Sequence, residues 1–78
     1  MKKVIVYSKP NCMMCEMTKK ELTKLGVDFT IESLIDEKNA ELVAGFVSKG
    51  FRSAPITLVG EEIISGFNPV SLKKALAA

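Results

Sequence analysis

The chain of 78 residues contains no histidine, one tyrosine, one arginine and two cysteines. Without histidine, neither a Cys-His hydrolase mechanism nor a Cys₂His₂ zinc site is open to it. With two thiolates at most, a metal site would need a second chain or an added thiol such as glutathione. Two cysteines three residues apart close too small a loop to staple the fold, so stability must come from packing. The single arginine, Arg52, is joined by lysines scattered along the chain at Lys2, Lys3, Lys9, Lys19, Lys20, Lys24, Lys38, Lys49, Lys73 and Lys74. With a net charge of +2 and no basic block, this pattern argues against a nucleic-acid binder. The apolar stretch after Met1-Lys2-Lys3 is too short for a signal-peptide core, no cleavage region follows it, and the composition is not that of a membrane-spanning chain. A cytoplasmic protein with no membrane association is therefore expected. No repeat, linker or low-complexity segment divides the chain, so residues 1–78 are expected to form a single domain. At this size folding buries only about 60% of the unfolded surface, and the core must be efficient.

What is present reads as alternating strands and helices. Val4 to Tyr7 is a continuous apolar run of the kind buried on both faces of a sheet, and Ser8-Lys9-Pro10-Asn11 ends it with turn chemistry. A helix follows from near Cys12, with Cys15, Thr18, Leu22 and Leu25 on its inward stripe and Gly26 as its C-terminal cap. Val27, Phe29 and Ile31 fall on one face of a second strand. Ser33 or Asp36 can cap a second helix, with Ala40, Val43, Phe46 and Val47 as its apolar face and Lys49-Gly50 as its end. Pro55 to Val59, Gly60-Glu61, and Glu62 to Ser65 have the form of a β-hairpin. Asn68 with Pro69 opens a last helix carrying Val70, Leu72, Ala75 and Leu76. The order β-α-β-α-β-β-α predicts an α/β fold with a four-stranded mixed sheet and helices on both faces. Helix-separated strands are expected to be joined by parallel crossovers, and the final hairpin is antiparallel.

The chemistry-bearing residues are Cys12 and Cys15. Chance gives this spacing in about one of forty placements of two cysteines in such a chain. As two small buried hydrophobes the pair would suit Cys15, on the inward stripe, but not Cys12, beside a polar turn. At a strand-to-helix junction, Cys12 meets unpaired backbone N–H groups and the positive end of the helix dipole, which favour the thiolate. Cys15 lies one turn on and more buried, and should remain a thiol until needed. In a reducing cytosol such a pair cycles or binds metal. In the redox reading Cys12 attacks a substrate disulfide and Cys15 resolves the mixed disulfide, with no general base required. Lys9 is the nearest candidate cation to the Cys12 thiolate, and a merely solvated lysine is the alternative. Met13 and Met14 either offer an adaptable apolar contact to partners or, for Met14, pack inward. Ala54-Pro55 precedes a strand, where a trans proline is the default reading on the residues alone.

Tyr7-Ser8-Lys9-Pro10-Asn11-Cys12-x-x-Cys15, Phe51-Arg52-Ser53-Ala54-Pro55 and Ser65-Gly66-Phe67-Asn68-Pro69 together resemble the glutaredoxin-like redoxins of the NrdH type, and Met17-Thr18-Lys19 adds to the likeness. The resemblance runs nearly end to end. It implies the thioredoxin fold, and an electron donor to the large subunit of a class Ib ribonucleotide reductase. It also implies re-reduction by thioredoxin reductase, with NADPH used only through that partner and no cofactor bound by a monomeric chain. Pro55 would be cis and lie against the cysteines. The Ala54 backbone would pair with substrate, and Gly66 and Phe67 would complete the contact surface. The chain departs from the family pattern where Ile64 replaces a common tryptophan and Asn68-Pro69-Val70 replaces Arg-Pro-Asp.

Two rival functions stand beside this one. A glutathione-dependent glutaredoxin typically carries Gly-Gly and an acidic residue in the second motif, whereas Gly66 here is followed by Phe67 and Asn68, and the bulk of Phe67 should obstruct a tripeptide. An iron-sulfur or zinc carrier would share Cys12, and in some arrangements Cys15, between two chains.

Overall fold

β1 (Val4–Ser8) alternates Val4 and Val6 toward one face with Ile5 and Tyr7 toward the other, and both faces are covered. That double burial is why the strand is apolar without a break. The structure, a computed structural model, describes residues 3–77; Met1, Lys2 and Ala78 lie outside the described residues. β1 sits inside a sheet of order β2-β1-β3-β4, formed with β2 (Thr30–Ser33), β3 (Ile56–Val59) and β4 (Glu62–Ser65). β2 runs parallel to β1, from Ile5↔Thr30 to Ser8↔Ser33, and β3 runs antiparallel to it, from Val4↔Val59 to Tyr7↔Ile56. Gly60, at a positive φ of 60°, turns the β3–β4 hairpin, which closes at Val59↔Glu62. With α1 (Met13–Lys24), α2 (Ala40–Ser48) and α3 (Pro69–Ala77), this is the thioredoxin fold in the expected element order.

One expected crossover differs. The chain leaves β2 at Ser33 and enters β3 at Ile56, and both residues pair at the same end of β1. β3 must therefore run opposite to β1 and β2, so only the β1–α1–β2 connection is a parallel crossover.

α1 and α3 cover one face through Leu22, Leu72 and Ala75, which pack with Val4, Val6, Val59 and Ile64. α2 covers the other face alone, where Phe46 meets the Tyr7 ring edge-on at 5.5 Å and packs with Ile56. Around Phe46, Val43 is turned by about 60°, while Ala40 and Val47 are turned by about 100–120° and are exposed, contrary to the expected apolar face. The second helix is also preceded by a 3₁₀ turn over Glu37–Asn39, whose N-cap is Asp36, accepting from the Lys38 N–H at 3.0 Å.

α1 ends in a full Schellman arrangement around Gly26, which sits at φ 72° with its N–H on the Thr23 carbonyl, while the Val27 N–H reaches the Leu22 carbonyl. Val27 thereby joins the core beside Leu22, and Leu25, the C-cap residue, is left 39% exposed rather than inward. Val27 and Phe29 pack on the core ahead of β2, which begins only at Thr30. Ile31 is 52% exposed, because it lies on the outermost strand with no neighbour on one side. In α3, Asn68 caps through its side-chain oxygen to the Ser71 N–H at 3.1 Å, Leu76 packs at the core margin, and Val70 faces solvent.

Candidate active site

The strand-to-helix junction after β1 positions the two sulfurs. Asn11 adopts a positive φ of 56°, a conformation Asn tolerates better than most residues, and reverses the chain into α1. Cys12 is the N-cap, extended at φ −114° and ψ 106°. Its carbonyl accepts the Glu16 N–H at 3.2 Å, and its sulfur accepts the Cys15 N–H at 3.2 Å. One of the four orphan amides of the helix entrance is thus aimed at Sγ, where a serine or aspartate oxygen would sit in an ordinary cap. Cys15, one turn on, is 1% exposed, and Cys12 is half-buried. The two are joined as a disulfide with their Cα atoms 5.2 Å apart. Below them Thr18 is buried, its hydroxyl donating to the Met14 carbonyl at 2.9 Å.

The second wall of the site comes from distant sequence. The Ala54–Pro55 peptide is cis and Pro55 is fully buried at the entrance to β3. The Ser65 hydroxyl donates to the Ser53 carbonyl at 3.0 Å and accepts from the Ser53 N–H at 3.1 Å. The Gly66 N–H is shared between the Ser53 carbonyl at 3.1 Å and the Pro55 carbonyl at 2.8 Å. Gly66 has φ 73°, and a Cβ there would lie 3.1 Å from the Met14 methyl, so the α1 side chain rests against this turn. Met14 therefore packs inward on Gly66 while keeping 40% of its surface exposed, whereas Met13 projects outward at 75%. Phe67 is half-buried beside this turn in sequence.

Lys9 is exposed and lines a cleft of about 430 Å³ on the β2 side, with Pro10, Asn11, Ile31 and Glu32. Among the described residues no ion pair or hydrogen bond ties Lys9 to Cys12. The Tyr7 phenol, on the α2 face, has its pKa raised above the ordinary 10.0, chiefly by burial and then by the charge of Glu32, with Lys38 opposing. It is held protonated and away from the α1 face. Among the described residues no three His, Cys, Asp or Glu side chains cluster as metal ligands, and no helix is long and apolar enough to cross a membrane.

The family model for glutaredoxin matches residues 4–64, which include β1, both cysteines, the cis-proline loop and most of the β3–β4 hairpin. The chain belongs to the glutaredoxin family. Within it, this glutaredoxin is of the NrdH type: it is 44% identical over 71 residues to the glutaredoxin-like protein NrdH of Lactococcus lactis subsp. cremoris, covering 91% of this chain and 96% of that one. Its fold superposes on Escherichia coli NrdH-redoxin with a TM-score of 0.79 at 25% identity, covering 92% of each chain. A glutaredoxin of Methanosarcina mazei Go1 gives the same TM-score at 34% identity, covering 97% of this chain and 79% of the other. This glutaredoxin is thus a redox protein with a Cys-x-x-Cys disulfide.

Of the residues expected at the site, Cys12, Cys15, Met14, Pro55 and Gly66 are brought together at one end of the sheet. Ser53 and Ser65, which tie the proline loop to β4, were not expected at the site. Their only signal was two serines in the two resembling segments, and serines in loops are too common to be informative. Thr57, also not expected, is fully buried on β3, and its hydroxyl has no hydrogen-bond partner among the described residues.

Proposed function

We propose that this protein is a dithiol-disulfide reductase that carries electrons to the large subunit of a class Ib ribonucleotide reductase and is re-reduced by thioredoxin reductase at the expense of NADPH. The observation that carries the chemistry is the Cys15 amide directed at Cys12 Sγ in the helix N-cap, beside a Cys15 that is almost wholly buried. An amide donor and the positive helix end favour a thiolate at Cys12 in the reduced protein. That thiolate attacks one sulfur of the substrate disulfide, forms a Cys12 mixed disulfide and expels the other substrate sulfur as a thiolate, which takes up a proton. Cys15 then loses its proton and attacks Cys12 Sγ. The second substrate thiol leaves, and the Cys12–Cys15 disulfide closes. Two electrons pass to the substrate and none to a bound cofactor. Lys9 contributes a screened positive charge rather than a direct contact. Met13, Met14, Ala54, Pro55, Gly66 and Phe67 form the surface that receives the substrate. The working unit is the single domain of residues 1–78, acting as a monomer in the cytoplasm.

The NrdH resemblance supports the thioredoxin reductase donor, as does the thioredoxin-like activity profile ascribed to the Escherichia coli protein. The Met14 methyl resting on Gly66, together with Phe67 next to it, argues against a tripeptide seat on this wall. The test is a donor comparison with purified protein: thioredoxin reductase plus NADPH should reduce the disulfide faster than glutathione does. The reverse order would overturn the assignment in favour of a glutathione-dependent glutaredoxin. Bound iron or zinc with a dimer mass would point to a metal carrier.

A further inference from the structure

Thr57 is the one polar residue of β3, and its fully buried hydroxyl has no hydrogen-bond partner among the described residues. It pairs with Val6 and Ile64, so its side chain stands on the face that α1 and α3 cover. A valine would fill the same space without the cost of an unmet donor. α1 and β3 both start at the end of the sheet that holds the cysteines and run the same way, and at the far end Leu22 shares its apolar cluster with Val59. From there Cys15 lies two helical turns back, about 10 Å along α1. Thr57 lies about 7 Å back along β3, and Pro55 about 13 Å. Cys15 thus comes level with the stretch of β3 between Thr57 and Pro55, and all three are fully buried. Thr18, the other buried hydroxyl on α1, already gives its proton to the Met14 carbonyl.

A second observation is chemical. To resolve a mixed disulfide, Cys15 must carry a negative sulfur at a position only 1% exposed, where burial opposes charge. The helix entrance does not serve it, since the Cys15 amide is aimed at Cys12 Sγ. β3 therefore holds a buried donor with no acceptor, and α1 forms a buried acceptor with no assigned donor.

We propose that the Thr57 hydroxyl donates a hydrogen bond to Cys15 Sγ when the disulfide opens, and that it favours the resolving step by stabilising the Cys15 thiolate. This rests on the disulfide-reductase reading above. In that step the Cys15 Sγ–Cys12 Sγ bond forms and the bond from Cys12 Sγ to the substrate sulfur breaks. The electron pair of the broken bond leaves with the substrate sulfur, which takes up the proton that Cys15 gave up, while Thr57 keeps its own. Once the disulfide closes, Cys15 Sγ carries no charge and is a weak acceptor, which leaves the hydroxyl unpartnered as the structure shows it.

The test follows the reduced protein in stopped flow as it reacts with dithiobis(nitrobenzoate), whose first half is released when Cys12 attacks and whose second is released when Cys15 resolves. In Thr57→Val the second release should slow by about tenfold, the weight of one hydrogen bond to a charged group, while the first stays within about twofold of the parent. Thr57→Ser, which keeps the hydroxyl, should restore the second release. Equal slowing of both releases, an unchanged second release in Thr57→Val, or a Thr57→Ser protein as slow as the valine variant would overturn the proposal. A parent protein that releases neither half, or only the first, would overturn the redox reading instead. A second measurement, the redox equilibrium with dithiothreitol, needs no rates. Thr57→Val loses a bond made only in the reduced protein and is relieved of an unmet donor in the oxidised one. Its equilibrium should therefore shift toward the disulfide by about tenfold, a reduction potential about 30 mV more negative. A substitution acting through packing alone would stabilise or destabilise both forms alike. An unchanged or more positive potential would overturn the proposal.

Discussion

The stretch from β1 through α1 and the stretch from Phe51 to Phe67 build the same site by different means. The first carries both sulfurs on consecutive elements, and each feature that shapes them is local: the Asn11 turn, the Cys12 cap, and the Cys15 amide one turn away. The second carries no nucleophile. It supplies a buried proline, a serine hydroxyl bonded across twelve residues, and a glycine that seats a methionine from the first stretch. On the proposed mechanism, reactivity belongs to one helix entrance and reception of a substrate to two loops held together. The two stretches should therefore fail differently when altered.

The largest expected effect belongs to the first. Cys12→Ser should abolish disulfide reduction, and Cys15→Ser should accumulate a covalent adduct with a disulfide substrate, detected by mass spectrometry. Full activity in Cys12→Ser would remove the distinction between the two stretches altogether. Next is the packing beneath the sulfurs. Leu22→Ala, at a fully buried position of α1, should lower unfolding free energy by about 2–5 kcal/mol in denaturant titration. A loss below 1 kcal/mol would mean that α1 does not depend on the core it shares with α3.

The link between the stretches is tested by Gly66→Ala. The positive φ and the approach of the Met14 methyl should together cost about 1–2 kcal/mol. Adding Met14→Ala should recover the part due to the contact but not the part due to the backbone. Strict additivity in that double-mutant cycle would show the two stretches to be energetically independent at this point. The smallest effect has the opposite sign. Thr57→Val replaces a fully buried hydroxyl that has no hydrogen-bond partner among the described residues with a methyl of similar shape, and should raise unfolding free energy by about 1 kcal/mol. A decrease instead would reveal that the hydroxyl has a hydrogen-bonding role in the folded protein.

Much of this was legible in the residues. The Val4–Tyr7 run, the Gly26 stop, the Gly60-Glu61 hairpin and the Asn68-Pro69 cap all read correctly, because each rests on backbone preferences within a few positions. The errors arose where burial depended on neighbours far along the chain. Ile31 keeps its strand position but is left exposed by the outermost place of β2, and Ala40 and Val47 point away because α2 covers its face alone through Phe46. Parallel crossovers were expected at both helices, and the second failed because the chain enters β3 at the same end of the sheet where it leaves β2, so β3 runs antiparallel to β1.

By itself the sequence determined that this is a redox chain whose Cys-x-x-Cys pair opens a helix directly after a strand. A Cys-x-x-Cys after a strand needs only the first turn of that helix to direct an amide at the first sulfur, and a helix turn is set by residues three and four apart. Only the tertiary structure decided what stands opposite. Ser53 meets Ser65, and Met14 meets Gly66, only because β3 runs back from the end of the sheet where β1 delivers the cysteines. Contacts of that kind depend on strand order and direction, and these are settled by which apolar faces can be buried together.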